Sequence, residues 1–319
     1  MGLIPETGEM AVTNERLILF IERKQPKKNH VQKLQFPDYV EGNIIFNKKL
    51  KLPYKSIASK NPEGNATFTV EPTENQEGKG SGWIPTFTLG LKKTALGNLP
   101  EDKTKFPAST WLKSFLQNGV GLFILDSLKM REPSPPGQSI QFKIDGSNLP
   151  WVIEDLRKDK KKFAHWIEHI QTALPDVADI IIVERPEDRK RYIKVKYKSG
   201  IEVPSWLVSD GTLRLLALTI PAYLRELSGV FLIEEPENGI HPKAIECVFQ
   251  SLSSVYNAQI LLASHSSILL GLVEPEQLLC FAKTPEGVTD IVLGKDHPKL
   301  KDWKGNPNLN LLFASGILS

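Results

Sequence analysis

Four apolar residues in a row, Val230-Phe231-Leu232-Ile233, run into two acids, Glu234-Glu235, and then into the turn-rich stretch Pro236-Glu237-Asn238-Gly239. A continuous apolar run of this kind predicts a buried parallel strand covered on both faces, since a half-buried strand alternates instead. The pattern recurs at Gln259-Ile260-Leu261-Leu262-Ala263, which leads into Ser264-His265-Ser266-Ser267. Upstream of both, Ser209-Asp210-Gly211-Thr212 precedes the apolar periodic segment Leu213-Arg214-Leu215-Leu216-Ala217-Leu218. Ser and Asp ahead of such a segment predict a helix start. The order is therefore helix start, strand ending in acids, helix, strand ending near a histidine, which is an α/β arrangement.

The rest of the chain is read around that core. Gly and Pro punctuate the first hundred residues, where Leu17-Ile18-Leu19-Phe20-Ile21 and Asn43-Ile44-Ile45-Phe46 are strand candidates. Short strands and loops are expected there. Trp111-Leu112-Lys113-Ser114-Phe115-Leu116 is amphipathic, and Asp145-Gly146-Ser147-Asn148-Leu149 predicts a helix capped by Ser147 or Asn148 and running through Trp151, Ile153 and Leu156. Leu278-Leu279-Cys280-Phe281 and Val288 to Leu293 read as a hairpin, and Leu309 to Gly316 as a closing helix. The expected organisation is a β-rich part over 1–100, a helical insert over 101–190 and a C-terminal lobe over 191–319.

Composition narrows the class. A chain of 319 residues with 40% hydrophobic and 24% charged residues builds an ordinary globular core. A net charge of +3 is too small to force a nucleic-acid or membrane reading. Cys247 and Cys280 are the only cysteines and read as buried thiols in a reducing compartment. No apolar run has membrane-spanning length, so a cytoplasmic protein without membrane contact is expected.

The chemistry concentrates at the strand ends. In open α/β sheets, ligands bind beyond the carboxyl ends of the strands. Two acids there suit metal-assisted phosphate chemistry, one holding Mg²⁺ through oxygen and the next orienting or deprotonating an attacking water. Neighbouring strand residues face opposite ways, so the two acids are expected to differ in role. A helix N-terminus with free N–H groups favours an anion.

These stretches together resemble the second half of an ATP-binding-cassette-type ATPase head, of the RecF/SMC/OLD-like class of prokaryotic AAA-family ATP-binding proteins. The match is specific from Pro204 to Leu272 and weaker back to about Thr94. The resemblance implies an ABC-type P-loop NTPase head with its C-terminal half complete, an inserted helical region and a β-rich N-terminal part. It also implies roles residue by residue. Ser209, Asp210 and Gly211 occupy the signature loop that caps the γ-phosphate of an opposing head. Glu234 stands at the Mg²⁺ acid, Glu235 at the catalytic base, Asn238 and Gly239 in the dimer-facing loop, and His265 at the γ-phosphate-sensing switch. ATP and Mg²⁺ are the implied cofactors. A homodimer or other head-to-head partner, a separately encoded effector and DNA are the implied partners, in defence against phage or mobile DNA or in repair.

One part of the family pattern is missing. A phosphate-binding loop needs Gly-x-x-x-x-Gly-Lys-Ser/Thr followed by a helix. At Asn75 to Gly82 the position five before Gly78 is Thr73, Lys79 precedes Gly80, and Trp83-Ile84-Pro85 follows, so this stretch reads as a flexible loop. No Gly-Lys-Ser or Gly-Lys-Thr occurs elsewhere. The sequence reads as beginning after that loop, and three explanations stay open: a shortened chain, a loop from another polypeptide, or a degenerate regulatory subunit without turnover. The basic clusters at Arg157 to Lys162 and Arg185 to Lys198 read as solvated surface, with phosphate contact on nucleic acid as the alternative. His165 and His169 lack the pattern of a metal pair.

Overall fold

Short strands broken by Gly and Pro do form in the first part of the chain, and they pair locally. The computed structural model describes residues 2–3, 10–11, 15–20, 38–40, 43–45, 54–71, 86–224, 227–285, 287–301 and 309–314. The stretch 75–82 lies outside them, as do most of the first ten residues and the last residues of the expected closing helix. The chain divides into two compact units, Met1–Asn118 and Gly119–Ser319.

In the first unit, β1 (Gly2–Leu3) pairs with β2 (Met10–Ala11), and β4 (Asp38–Val40) pairs with β5 (Asn43–Ile45). A four-stranded antiparallel sheet joins β3 (Glu15–Phe20), β6 (Tyr54–Lys60), β7 (Asn65–Phe68) and β8 (Thr86–Thr88) in that spatial order. Alternation along β6 and β7 puts Ile57, Ala66 and Phe68 into a small core with Leu99 and Phe106. Helix α1 (Pro107–Asn118) starts on Glu71, whose buried carboxylate accepts from Ala108 N and Ser109 N at 2.7 and 2.8 Å. A side chain distant in sequence thus satisfies two of the four N–H groups that a helix start leaves without partners.

The second unit begins with β9 (Val120–Phe123), α2 (Ser127–Arg131), α3 (Leu149–Arg157) and α4 (Lys160–Ala173). Next come β10 (Val177–Glu184), β11 (Arg191–Tyr197) and β12 (Glu202–Pro204), an antiparallel sheet in sequence order. Helix α5 (Asp210–Thr219) leads to β13 (Gly229–Glu234), α6 (Pro242–Ser253), β14 (Ala258–Ala263) and α7 (Ser267–Leu270). The unit closes with the expected hairpin, β15 (Leu279–Lys283) and β16 (Thr289–Leu293), then α8 (Pro298–Lys301) and α9 (Leu309–Ala314). Strands β14, β13 and β9 form a parallel sheet with β13 in the centre. The stretch read as a helical insert therefore also supplies one strand of the sheet that carries the acids. The main core lies among α3, α4, α5 and α6, where the Trp166 indole, fully buried, donates to Thr219 Oγ1 at 3.0 Å.

Two expectations are corrected here. The apolar run of β13 is covered on one face only among the described residues. Ile233 is buried, and Phe231 packs beside Phe123, whereas Leu232 is 36% exposed and Leu261 of β14 is 40% exposed. No helical layer among the described residues covers the second face. The second correction concerns Asn148. It occupies the position before α3 yet makes no side-chain cap bond. Its buried amide instead accepts from Lys143 N at 3.0 Å and donates to Ser139 O and Gln141 O at 2.7 Å each, so it stitches the preceding loop.

Several residues of the basic clusters pair with acids within the unit. Arg191 pairs with Glu184 and Glu154 and lies 3.8 Å over the Trp151 ring. Arg157 pairs with Asp179 at 2.6 Å, and Lys194 with Glu202 at 3.4 Å. No helix among the described residues is long and apolar enough to cross a membrane.

Gly229 opens the acid-bearing strand at φ +110°, and a Cβ there would collide with the carbonyl oxygen of Gly119 at the start of the neighbouring chain segment. Gly229→Ala is therefore expected to destabilise the second unit by more than about 1 kcal/mol, because a side chain is added where φ is positive. Denaturant unfolding followed by intrinsic fluorescence measures the shift in midpoint.

Candidate functional site

The parallel pairing of β13 with β14 sets the site. Glu234, the last residue of β13, lies opposite Ala263, the last residue of β14. The pairing continues one step past the strands, where Glu235 N donates to Ala263 O at 2.7 Å. The acids and the loop carrying His265 thus leave the sheet together at its carboxyl edge. Glu234, Glu235 and His265 are all exposed there.

Glu235 is not in an extended conformation. Its φ is +44°, the left-handed region that side chains other than Gly, Asn and Asp rarely occupy. Strain of this kind is held only where surrounding contacts over-determine it, and it clusters at functional sites. The turn, and not the pleat of the strand, separates the two acids. Behind it, the loop is fixed by Asn238 N donating to Glu235 O at 2.9 Å, by Ile240 N donating to Glu237 O at 3.0 Å, and by burial of Pro236 and Ile240. Asn238 and Gly239 are left exposed at its tip, with Gly239 at φ +74°. The Asn238 side-chain amide reaches Glu235 Oε2 at 3.3 Å.

Helix α5 meets this loop end-on. A Cβ at Gly211 would lie 2.7 Å from Gly239 O, so only glycine permits the approach of the helix start to the loop. Ser209 caps α5: its Oγ accepts from Thr212 N at 3.2 Å and lies 2.8 Å from Thr212 Oγ1. Asp210, in the first turn, is held by Arg131, whose Nε and terminal nitrogen donate to Oδ1 at 3.0 and 2.5 Å. Arg131 also donates to Trp206 O at 3.1 Å, and its own carbonyl accepts from Ser205 Oγ at 2.8 Å. The structure therefore brings Glu234, Glu235, Asn238, Gly239 and Gly211 to one edge, with Ser209 and Asp210 on the same helix start and His265 on the adjoining loop.

Two residues at this edge escaped the reading of the sequence. Arg131, at the end of α2, fixes the loop ahead of α5 from 79 positions away. Glu237 accepts from Ser264 Oγ at 2.6 Å, and this bond joins the acid loop to the residue before His265. The Pro236-Glu237-Asn238 turn drew attention to the loop, but nothing in the spacing named the partner of Glu237.

The donor set suits Mg²⁺ with a nucleotide. The oxygens of Glu234 and Glu235 are accessible, and among the described residues no three His, Cys, Asp or Glu side chains converge into a metal cage. One or two carboxylates plus phosphate oxygens is the usual hold on Mg²⁺.

These side chains stand at the carboxyl edge of a parallel sheet, the place where α/β folds bind their ligands. The family described as "AAA domain, putative AbiEii toxin, Type IV TA system" matches residues 52–271, and the chain belongs to it. No curated protein matches the sequence. Among solved structures, the Smc head domain with a coiled coil and joint from Pyrococcus yayanosii is similar at 16% identity and a TM-score of 0.35, covering 50% of this chain and 32% of that chain. A structure from work on ATP-driven dimerization and DNA-stimulated activation of SMC ATPases is similar at 14% identity and a TM-score of 0.35, covering 48% of this chain and 98% of that one. The chain spans about a third of the first of these proteins.

The left-handed turn at Glu235 predicts how removal of its side chain affects stability. A non-glycine residue in this region costs roughly 1 to 2 kcal/mol, offset by the roughly 0.5 to 1 kcal/mol that glycine loses in chain entropy. Glu235→Gly is expected to leave stability unchanged or to raise it by up to about 1 kcal/mol. Thermal and denaturant unfolding check this, and a clear loss of stability instead makes Glu235 a structural residue.

Proposed function

We propose that this chain is a head of a RecF/OLD-like AAA ATPase that clamps ATP and Mg²⁺ against a second head. The observation that carries the reading is the Glu234–Ala263 register with its continuation from Glu235 N to Ala263 O, which delivers both acids and the His265 loop to one edge. In this reading Glu234 helps to hold Mg²⁺, Glu235 takes the proton of the attacking water, and His265 meets the γ-phosphate. Bound Mg²⁺ supplies charge neutralisation on the phosphates; the chain's residues supply position. Catalysis of phosphoryl transfer is mostly positioning and electrostatics, so geometry at this edge is the main lever.

Ser209, Asp210 and Gly211 serve the opposite head. Their helix start faces a phosphate carried by the partner, with Asn238 and Gly239 beside it at the interface. Residues 191–319 act as the C-terminal lobe of the head and residues 1–100 as its β-rich part, while residues 101–190, the expected helical insert, hold α1 to α4 together with β9 and β10. Closure on ATP and opening after hydrolysis drive a DNA-linked effector, in defence or repair, through the difference in affinity between the two states.

Complementation tests the proposal. The chain is mixed with a head of the same class that has its own phosphate loop but a disabled signature serine, and phosphate release is followed. Activity is expected to return with the unmodified chain and not with Ser209→Arg, because a bulky cation blocks closure over the γ-phosphate. Loss of a well-placed donor lowers the rate by roughly a hundred- to a thousandfold. Equal complementation by Ser209→Arg makes Ser209 a helix cap only and removes the signature assignment.

A further inference from the structure

Glu237 is a titratable group at this edge that the proposed chemistry does not use. It is half-buried, its Oε1 accepts from Ser264 Oγ at 2.6 Å, and its Oε2 is buried without a hydrogen-bond partner among the described residues. A carboxylate oxygen left unpaired inside a protein carries a desolvation cost, so its position asks for a compensating role. The cost is tolerated here beside the strained φ of Glu235, two residues away.

The Ser264 hydroxyl has a single proton to give, and Glu237 takes it. The lone pairs left on Ser264 Oγ accept from Ser266 N at 2.9 Å. Ser266 in turn caps α7, its Oγ accepting from Leu269 N at 3.4 Å. His265 therefore sits between two residues that are fixed through one chain of bonds beginning at Glu237. On its other side, the Glu235 N to Ala263 O bond fixes the backbone just before Ser264. The acid loop and the histidine loop are joined twice, once through backbone and once through side chains.

We propose that Glu237 is a positioning residue that locks the His265 loop to the loop of Glu235, so that the base and the histidine move as one body. The functional meaning rests on the reading that both act on one phosphate; the mechanical coupling itself does not. A change at either loop, such as arrival or loss of a phosphate at His265, then reaches the other through the Ser264–Glu237 bond. Because Gly239 O also abuts Gly211, the same loop passes the change to the start of α5.

The test uses the full chain without nucleotide, so its outcome is independent of the ATPase reading, which complementation decides. Hydrogen–deuterium exchange is measured for Ser264 to Leu270, with α6 as the internal reference. Glu237→Ala and Ser264→Ala are each expected to raise exchange in this segment by about tenfold or more, since a hydrogen bond to a charged group is lost. The double variant is expected to exchange no faster than Ser264→Ala alone, because that substitution already removes the bond to Glu237 along with the one from Ser266 N. Glu237→Gln and Ser264→Thr keep an acceptor and a donor and are expected to restore protection to within about twofold. The His265 ring resonance, assigned by its absence in His265→Gln, is expected to shift in Glu237→Ala and to return in Glu237→Gln. Unchanged exchange and an unchanged His265 resonance in Glu237→Ala overturn the proposal. So do additive effects of the two alanine substitutions, or a rise in exchange spread evenly over α6.

Discussion

The pairing of β13 with β14 is the constraint on which the rest of the edge depends. Both strands are mostly apolar, and their parallel register puts Glu234 level with Ala263. A slip of one residue would exchange the faces of the whole strand, moving Ile233 out of the core and Leu232 into it. The buried face therefore fixes the position of residues that are themselves exposed. Glu235 and His265 need no contact with each other to be held in relation, because each is tied to the end of a strand whose register the core enforces.

Around that register the backbone is arranged by close approaches that few residue types allow. Glu235 turns left-handed at φ +44°, Gly239 does the same at φ +74°, and Gly211 has no room for a side chain against Gly239 O. Helix α5, the acid loop and the histidine loop are thereby packed as three chain segments meeting at one edge. The polar bonds that finish the job are few: Arg131 on Asp210, Ser209 on Thr212, and Ser264 on Glu237. Exposed ion pairs contribute little to stability, so the Arg131 pair matters for where it holds the α5 start more than for its energy.

Much of this edge was legible in the sequence, for definite reasons. Apolar runs of strand length ending in Glu234-Glu235 and near His265 announce themselves without reference to any partner, and Ser209 before Leu213 to Leu218 is a local signal. The strands, the cap and the hairpin of β15 and β16 formed where these patterns put them. What escaped the sequence is non-local. Arg131 lies 79 positions from Asp210, and Ser264 lies 27 from Glu237. Periodicity cannot report that one face of β13 is covered and the other exposed, because an apolar side chain reads the same in both places. Asn148 misled for a related reason: the residue types that cap helices also stitch loops, and only the neighbours decide which.

The central claim is that the edge holding Glu234, Glu235 and His265 is where metal and nucleotide phosphates meet this chain. Replacing Mg²⁺ by paramagnetic Mn²⁺ tests it directly, with the histidine ring resonances as reporters spread through the second unit. Titration of the chain with Mn²⁺ in the presence of ATP is predicted to broaden the His265 ring first, well before those of His165 and His297. The effect is predicted to vanish when Glu234 and Glu235 are both replaced by Gln. Broadening that begins at another histidine, or that survives the double substitution, contradicts the account.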